Sequence, residues 1–366
     1  MIFINGQTIY ANMLNPNQLL ELRKKYLSPS LSLSYDKPLH IVRAKGQFLY
    51  DSKGDRYLDA VNNIQHVGHC HPKVVSAASE QYGILNTNTR YLDETVISYA
   101  KDLTNYLPNG LTTCFFTNSG SESNDLALRL ARTATDSKET IVLDGAYHGH
   151  VSSLIDISPY KHNSRGGSGP PSYVHTVPMP DSYRGKYRGE EALTGYIDEL
   201  KNILYSIKKN GKNISAFVVE SIMGCGGQLI LPDRFLERAF ELVRDEGGVC
   251  IADEVQIGFG RVGSKFWGFE TANVQPDIVT MGKSMGNGHP LSVVVAKKQI
   301  ADKFNNGMEY FNSFGGNPVS CAVGKAVLNV IEDEKLQQNA HKVGEYLLEE
   351  LKRLQGEFPL IGQVRG

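Results

Sequence analysis

Short apolar runs rich in β-branched and aromatic residues recur along this chain of 366 residues, separated by segments of helical periodicity. That alternation leaves few folds open. The clearest runs are 113–117, 140–143, 216–219, 248–252, 277–281 and 291–296. Between the second and third, Leu193, Ile197, Leu200, Leu204 and Ile207 fall on one face of a helix. Phe235, Leu236, Ala239, Phe240 and Val243 repeat the pattern before Gly247-Gly248, which reads as a helix stop. Leu336, Ala340, Val343, Leu347, Leu351 and Leu354 mark a further long helix, and a new strand is expected to begin after Ile361. Strands alternating with amphipathic helices predict an α/β fold whose mostly parallel sheet is covered on both faces. The stretch 163–172, rich in glycine and proline, reads as a mobile loop.

Composition narrows the partners. The formal net charge is −1, so no global field draws in nucleic acid or an acidic membrane, and a small molecule is the expected partner. The five cysteines are scattered without C-x-x-C spacing, which argues against a zinc or disulfide framework. His66, His69, His71 and His148 show no ligand spacing either, and no metal is expected. No apolar run approaches the roughly 20 residues that span a bilayer. The segment before Arg23 has no Lys or Arg, hence no evident signal or transit peptide. Cytoplasm is the favoured compartment, with mitochondrial import by another signal left open.

In open α/β sheets, ligands bind beyond the carboxyl ends of the strands, so the residues just past each run are the ones to read. After Thr117 comes Asn118-Ser119-Gly120-Ser121-Glu122-Ser123, then a helix to about Ala134. Ser119 and Glu122 have capping-box spacing. The segment is either an ordinary capped helix or a phosphate cradle of backbone N–H groups. After Leu143, Tyr147 and His148 stand between glycines, where an aromatic either lines a rim or stacks on a flat heterocycle. Glu220 and Asp253 each close a buried strand, and a buried carboxylate needs a partner: a structural cation, or a protonated ring nitrogen. After Met281, Lys283 sits within a run of small residues. It caps a loop or forms a Schiff base, whose amine must be partly unprotonated and free to move.

One motif is a decoy. Gly258-Phe259-Gly260-Arg261-Val262-Gly263 matches G-x-G-x-x-G, but the residues after it lack the helical periodicity a dinucleotide site requires.

Together these signals spell a phosphate cradle, a ring stacker, an acidic partner and a lysine. The segments 118–132, 146–150, 252–263, 281–290 and 314–318 resemble class-III aminotransferases, pyridoxal-phosphate (PLP) enzymes of fold type I. The resemblance runs from about Tyr26 to Gly366. It implies an α/β fold of a large domain, with a mostly parallel sheet, and a smaller α/β domain. The expected division is 1–60 (contributing to the small domain), 61–305 (the PLP-binding domain) and 306–366 (a linker helix and the start of the C-terminal small domain). Family members continue past a V-R-G-x-G-L segment within which this chain ends, so the small domain is expected to be C-terminally incomplete.

The resemblance also implies site roles. Lys283 and Asp253 are the expected catalytic residues, with Lys283 holding PLP and Asp253 pairing with its ring nitrogen. Gly120 and Ser121 would bind the cofactor phosphate, Tyr147 would stack on its ring, Gln256 would approach the ring hydroxyl, and Ser119, His148 and Glu220 would also bind the cofactor. Ser313, before F-G-G-N-P, would reach the phosphate across the interface of a homodimer.

The segments 66–72, 85–92, 152–161, 180–188 and 286–290 lie outside that core and resemble the phospho-lyase branch, which acts on ethanolamine phosphate or 5-phosphohydroxylysine. Ornithine-type enzymes read V-E-P-I-Q-G-E-A-G where this chain has Val219 to Gly227, and Cys225 replaces the glutamate that pairs with a substrate-gating arginine. The expected substrate is therefore a phosphorylated amine or amino acid. Arg90, Lys161, Arg184 and Arg188 are candidate phosphate donors or plain surface charges. The alternatives are a transaminase of the alanine–glyoxylate or ω-amino acid type, and a shortened PLP-fold protein of impaired catalysis.

Overall fold

The computed structural model describes residues 2–4, 7–9 and 14–366. The chain divides into two units, Met1–Val61 and Asn62–Gly366. In the first, β1 (Ile2–Ile4) pairs with β2 (Gln7–Ile9), and α1 (Pro16–Tyr26) follows. The start of α1 is set locally: the Asn15 side chain accepts from Gln18 N, the Gln18 side chain accepts from Asn15 N, and Pro16 pre-sets the first turn. Strands β3 (Ile41–Lys45), β4 (Phe48–Asp51) and β5 (Arg56–Leu58) complete this unit as an antiparallel meander.

The second unit is built on seven strands: β6 (Leu111–Thr117), β7 (Glu139–Leu143), β8 (Val174–Val177), β9 (Ile214–Glu220), β10 (Val249–Asp253), β11 (Ile278–Met281) and β12 (Ser292–Lys297). Their order is β6-β12-β11-β10-β9-β7-β8, and β12 alone runs antiparallel to its neighbours. The six runs expected from the sequence are strands with ends shifted by one or two residues. The seventh, β8, is a short Val-His-Thr-Val edge strand without an apolar run to announce it. No strand forms after Ile361.

Helices cover both faces. They are α2 (Pro72–Tyr82), α3 (Glu94–Thr104), α4 (Gly120–Thr135), α5 (Ser152–Asp156), α6 (Pro159–His162), α7 (Glu191–Lys209), α8 (Phe235–Asp245), α9 (Lys298–Phe304), α10 (Pro318–Asp333) and α11 (Leu336–Glu357). Alternate residues of one strand enter different cores. In β9, Ile214, Phe217 and Val219 pack with α7 and α8, while Ala216 and Val218 pack with α4. Val293 and Val295 of β12 join a third core with α2, α3 and α10. Every residue of β9, β10 and β11 is buried, the pattern of a sheet covered on both sides. Each fully buried Leu, Ile or Phe contributes about 1.5–3 kcal/mol, enough to hold polar strand ends rigidly where the chemistry is placed.

The glycine-rich decoy resolves as expected. Past Gly263 the chain forms only a short 3-10 turn, Gly268–Ala272, and no helix that could cradle a dinucleotide.

Candidate active site

The carboxyl edge of the sheet concentrates polar residues. Asp253 is in register with Glu220 on one side and Thr280 on the other, and Ser292 faces Thr117. All five are buried, so each must find a partner within the protein. Thr117 Oγ1 lies 2.5 Å from Ser292 Oγ and 2.7 Å from Ser123 Oγ, joining the sheet edge to α4.

Asp253 is the best-held group of the set. Asn124 Nδ2 donates to its Oδ2 at 2.8 Å, His148 Nδ1 lies 2.8 Å from the same oxygen, and Val255 N donates to Oδ1 at 3.1 Å. The amide of Asn124 is itself oriented. Thr280 Oγ1 donates to its Oδ1 at 2.6 Å, so its NH2 group faces Asp253 and the carbonyl of His148. His148 turns Nδ1 to the Asp253 carboxylate, and its Nε2 is buried with no partner among the described residues.

The start of α4 stands above this floor. Ser119 caps it, its Oγ accepting from Glu122 N at 3.2 Å. Only half of the expected capping box forms, because the Glu122 carboxylate turns to Asn118 N and Asn118 Nδ2. The first-turn N–H groups of Gly120 and Ser121 have no helical acceptor, as at any helix start. Gly120 packs against Val255: a Cβ there would sit 2.7 Å from Val255 Cγ1 and force that side chain to move. Gly149, at φ +143°, would place a Cβ 2.4 Å from Leu154 Cδ1 and 2.7 Å from Ser121 Oγ. Ser121 Oγ lies 3.0 Å from His150 Nδ1 and accepts from His150 N.

Lys283 follows β11 with a backbone φ of +37°, a conformation disfavoured for a residue with a side chain. Such strain persists where surrounding structure imposes it, commonly at working sites. Its Nζ donates to Gln256 Oε1 at 2.7 Å. Glu220 anchors backbone rather than a cation: Oε1 accepts from Tyr147 N at 3.1 Å and Oε2 from Gly224 N at 2.9 Å. Burial pushes its carboxyl above the usual range, with His148 opposing the shift. Its neighbour in sequence, Glu254, is pushed up to about 7 by burial, and accepts from Ser221 Oγ and from Gly268 N and Phe269 N.

These groups surround one cavity of about 210 Å³, lined by Ser119, Gly120, Ser121, Tyr147, His148, Glu220, Asp253, Gln256 and Lys283. Asn124, Gly149, His150, Cys225 and Val255 line it too and were not singled out from the sequence as cavity residues, although Cys225 stood out in its motif. Asn124 did leave a signal, being a polar residue at a buried position one turn after Gly120. Ser313 is exposed and does not line the cavity. Neither do Arg90, Lys161, Arg184 and Arg188, but the Lys161 ammonium lies 5.7 Å from the ring centre of Tyr147, which does. Larger crevices of about 660 and 590 Å³ lie at the far end of α4 and along β6, without comparable convergence of reactive groups. Among the described residues, no three His, Cys, Asp or Glu side chains gather as a metal site, and no helix is long and apolar enough to cross a membrane.

The family model described as aminotransferase class-III matches residues 32–366. A Drosophila melanogaster protein named alanine–glyoxylate aminotransferase 2-like is 48% identical over 365 residues, covering 98% of this chain and 74% of its own. A Caenorhabditis elegans protein named ethanolamine-phosphate phospho-lyase homolog 1 is 42% identical over 363 residues, covering 95% of this chain and 78% of its own. Among solved structures, a phospholyase from Arthrobacter in complex with phosphoethanolamine superposes with a TM-score of 0.90 at 37% identity, covering 95% of this chain and 82% of that one.

Proposed function

Because the chain belongs to the class-III aminotransferase family, and is thus a PLP-dependent enzyme of fold type I, we propose that it eliminates phosphate and ammonia from ethanolamine phosphate. One water is consumed and acetaldehyde is the organic product. The observation that carries this reading over transamination is Cys225 at the cavity. A neutral thiol stands where ornithine-type enzymes hold the glutamate that pairs with their gating arginine. The names of the worm relative and of the Arthrobacter structure point the same way.

The cavity suits the cofactor group by group. Gly120 and Ser121 offer unpaired first-turn amides to a phosphate, and the missing side chain of Gly120 lets Val255 pack closely under that turn. Tyr147 offers a half-buried ring to a flat heterocycle. Asp253, 4% exposed and held by three donors, offers a carboxylate to a ring N–H. Lys283 offers the amine for covalent attachment.

When bound, PLP supplies an electron sink for the substrate carbon that bears nitrogen. The remaining work belongs to the chain. Asp253 keeps the ring nitrogen protonated, because a buried carboxylate strongly favours a cationic partner. His148 and Asn124 hold Asp253 in place, and Glu220 fixes the backbone of Tyr147 and of the Gly224 turn. Gln256 accepts from Lys283 and directs its amine. Displaced by substrate, that amine takes the proton from the carbon bearing nitrogen. The phosphate on the neighbouring carbon would then leave with the electron pair of its C–O bond as the former C–H pair forms a C=C bond, and water would convert the released enamine to acetaldehyde and ammonia.

Two copies are part of the proposal, with Ser313 reaching the partner's cavity. The segments 84–92 and 308–314, joined by the Arg90–Glu309 ion pair, expose Ile84, Leu85, Tyr91, Leu92, Met308, Phe311 and Phe314, an apolar surface that association would cover. The test of function is phosphate release from phosphoethanolamine by the PLP-loaded protein without any keto acid. Phosphate and acetaldehyde in equal amounts, abolished by Lys283→Ala, are expected. No release from cofactor-loaded protein would leave transamination as the reading.

A further inference from the structure

Building on the phospho-lyase reading, we infer that Lys161 is the cation that receives the substrate's phosphate monoester at the cavity mouth, and that Cys225 keeps that mouth free of a competing carboxylate.

Four cations were candidates, and their surroundings separate them. Arg90 is engaged elsewhere, paired with Glu309 at 3.2 Å and stacked 4.1 Å from the Phe311 ring centre. Arg184 lies over its neighbour Tyr183, and Arg188 donates to the carbonyl of Gly185; both stay within their own loop. Lys161 differs from all three. Its ammonium lies 5.7 Å from the ring centre of Tyr147 and 5.5 Å from that of Tyr160. The two rings meet edge to face at 6.0 Å, and Tyr160 N donates to the Ala146 carbonyl, tying α6 to the loop that carries Tyr147.

Two rings steer the lysine stem without neutralising its charge. Among the described residues the ammonium has no carboxylate partner. Cys225 lines the same cavity, and its thiol is pushed up by burial and by Glu220, so it stays neutral near pH 7. Lys161 and Lys283 oppose this shift; Lys283 lines the cavity with Cys225, and Lys161 lies over Tyr147, which lines it too. Of the cavity's two buried carboxylates, Glu220 is taken up by two backbone N–H groups and Asp253 by Asn124, His148 and Val255 N on the floor. The mouth therefore carries an uncompensated positive charge with three N–H donors, the complement of a phosphate dianion. A glutamate in place of Cys225 would pair with Lys161 and repel that dianion.

The experiment uses the full-length, PLP-loaded protein and its Lys161→Met, Lys161→Arg and Cys225→Glu variants. Two readouts are taken: kcat and KM for phosphoethanolamine, and calorimetric binding of inorganic phosphate, with the cofactor's own phosphate already in the cradle. Lys161→Met should raise KM about tenfold to a hundredfold, leave kcat nearly unchanged and weaken phosphate binding by a similar factor. Lys161→Arg should restore most of both, and Cys225→Glu should behave like Lys161→Met. Wild-type KM and wild-type phosphate affinity in Lys161→Met would overturn the inference. If the wild-type protein releases no phosphate, the phospho-lyase reading falls on its own. Inorganic phosphate binding then decides the subsite: dependence on Lys161 keeps it, and independence removes it.

Discussion

The floor and the mouth of one cavity are built on opposite terms. On the floor, Asp253, His148, Asn124 and Thr280 are at most 4% exposed, and each is tied to another of the four. At the proposed mouth, Lys161 and Cys225 are exposed, and the lysine ammonium lies over the rings of Tyr147 and Tyr160. A buried polar group left unpaired costs about 1–3 kcal/mol, so the floor keeps its carboxylate by surrounding Asp253 with three partners. An exposed group carries no such obligation and can wait for a substrate. The floor suits chemistry shared by lyases and transaminases, whereas the mouth is where the two can differ.

Three substitutions would sharpen or break that contrast, in decreasing order of effect. Asp253→Asn removes the buried charge and sets an amide against the donors of Asn124 and His148. Breaking such a buried pair costs about 3–5 kcal/mol, so cofactor affinity, followed by absorbance titration, should fall a hundredfold or more. Asn124→Leu deprives Asp253 of one donor and Thr280 of its acceptor. About 1–3 kcal/mol of thermal stability should go with it, and cofactor affinity should fall by a smaller factor than in Asp253→Asn. Lys161→Met removes an exposed charge, and its unfolding free energy should stay within about 0.5 kcal/mol of wild type. If Lys161→Met destabilised the fold as much as Asn124→Leu, the distinction between floor and mouth would not hold.

What the sequence disclosed follows the same division. Asp253 and Lys283 drew attention because each stands at or just past the end of a run of buried apolar residues, where a charge needs a reason, and the structure brings both to the cavity. Six of the seven strands of the large sheet were legible for their apolar runs, and β8 was not, because half of its four residues are polar. Asn124 was obscured because a polar residue inside a helix ordinarily faces water, and only its periodic position betrays it. The choice among Arg90, Lys161, Arg184 and Arg188 could not be read at all. It depends on neighbours such as Glu309, far along the chain from Arg90. The capping box at Ser119 was half right, since the Glu122 carboxylate is drawn to Asn118, which no spacing rule foresees.

The most direct test of the account supplies the PLP-loaded protein with phosphoethanolamine and pyruvate together and quantifies phosphate, acetaldehyde and alanine. The account predicts phosphate and acetaldehyde in equal amounts and no alanine, because the C–O bond breaks before the amino group can be passed on. Alanine accumulating without phosphate release would contradict it and make the enzyme a transaminase.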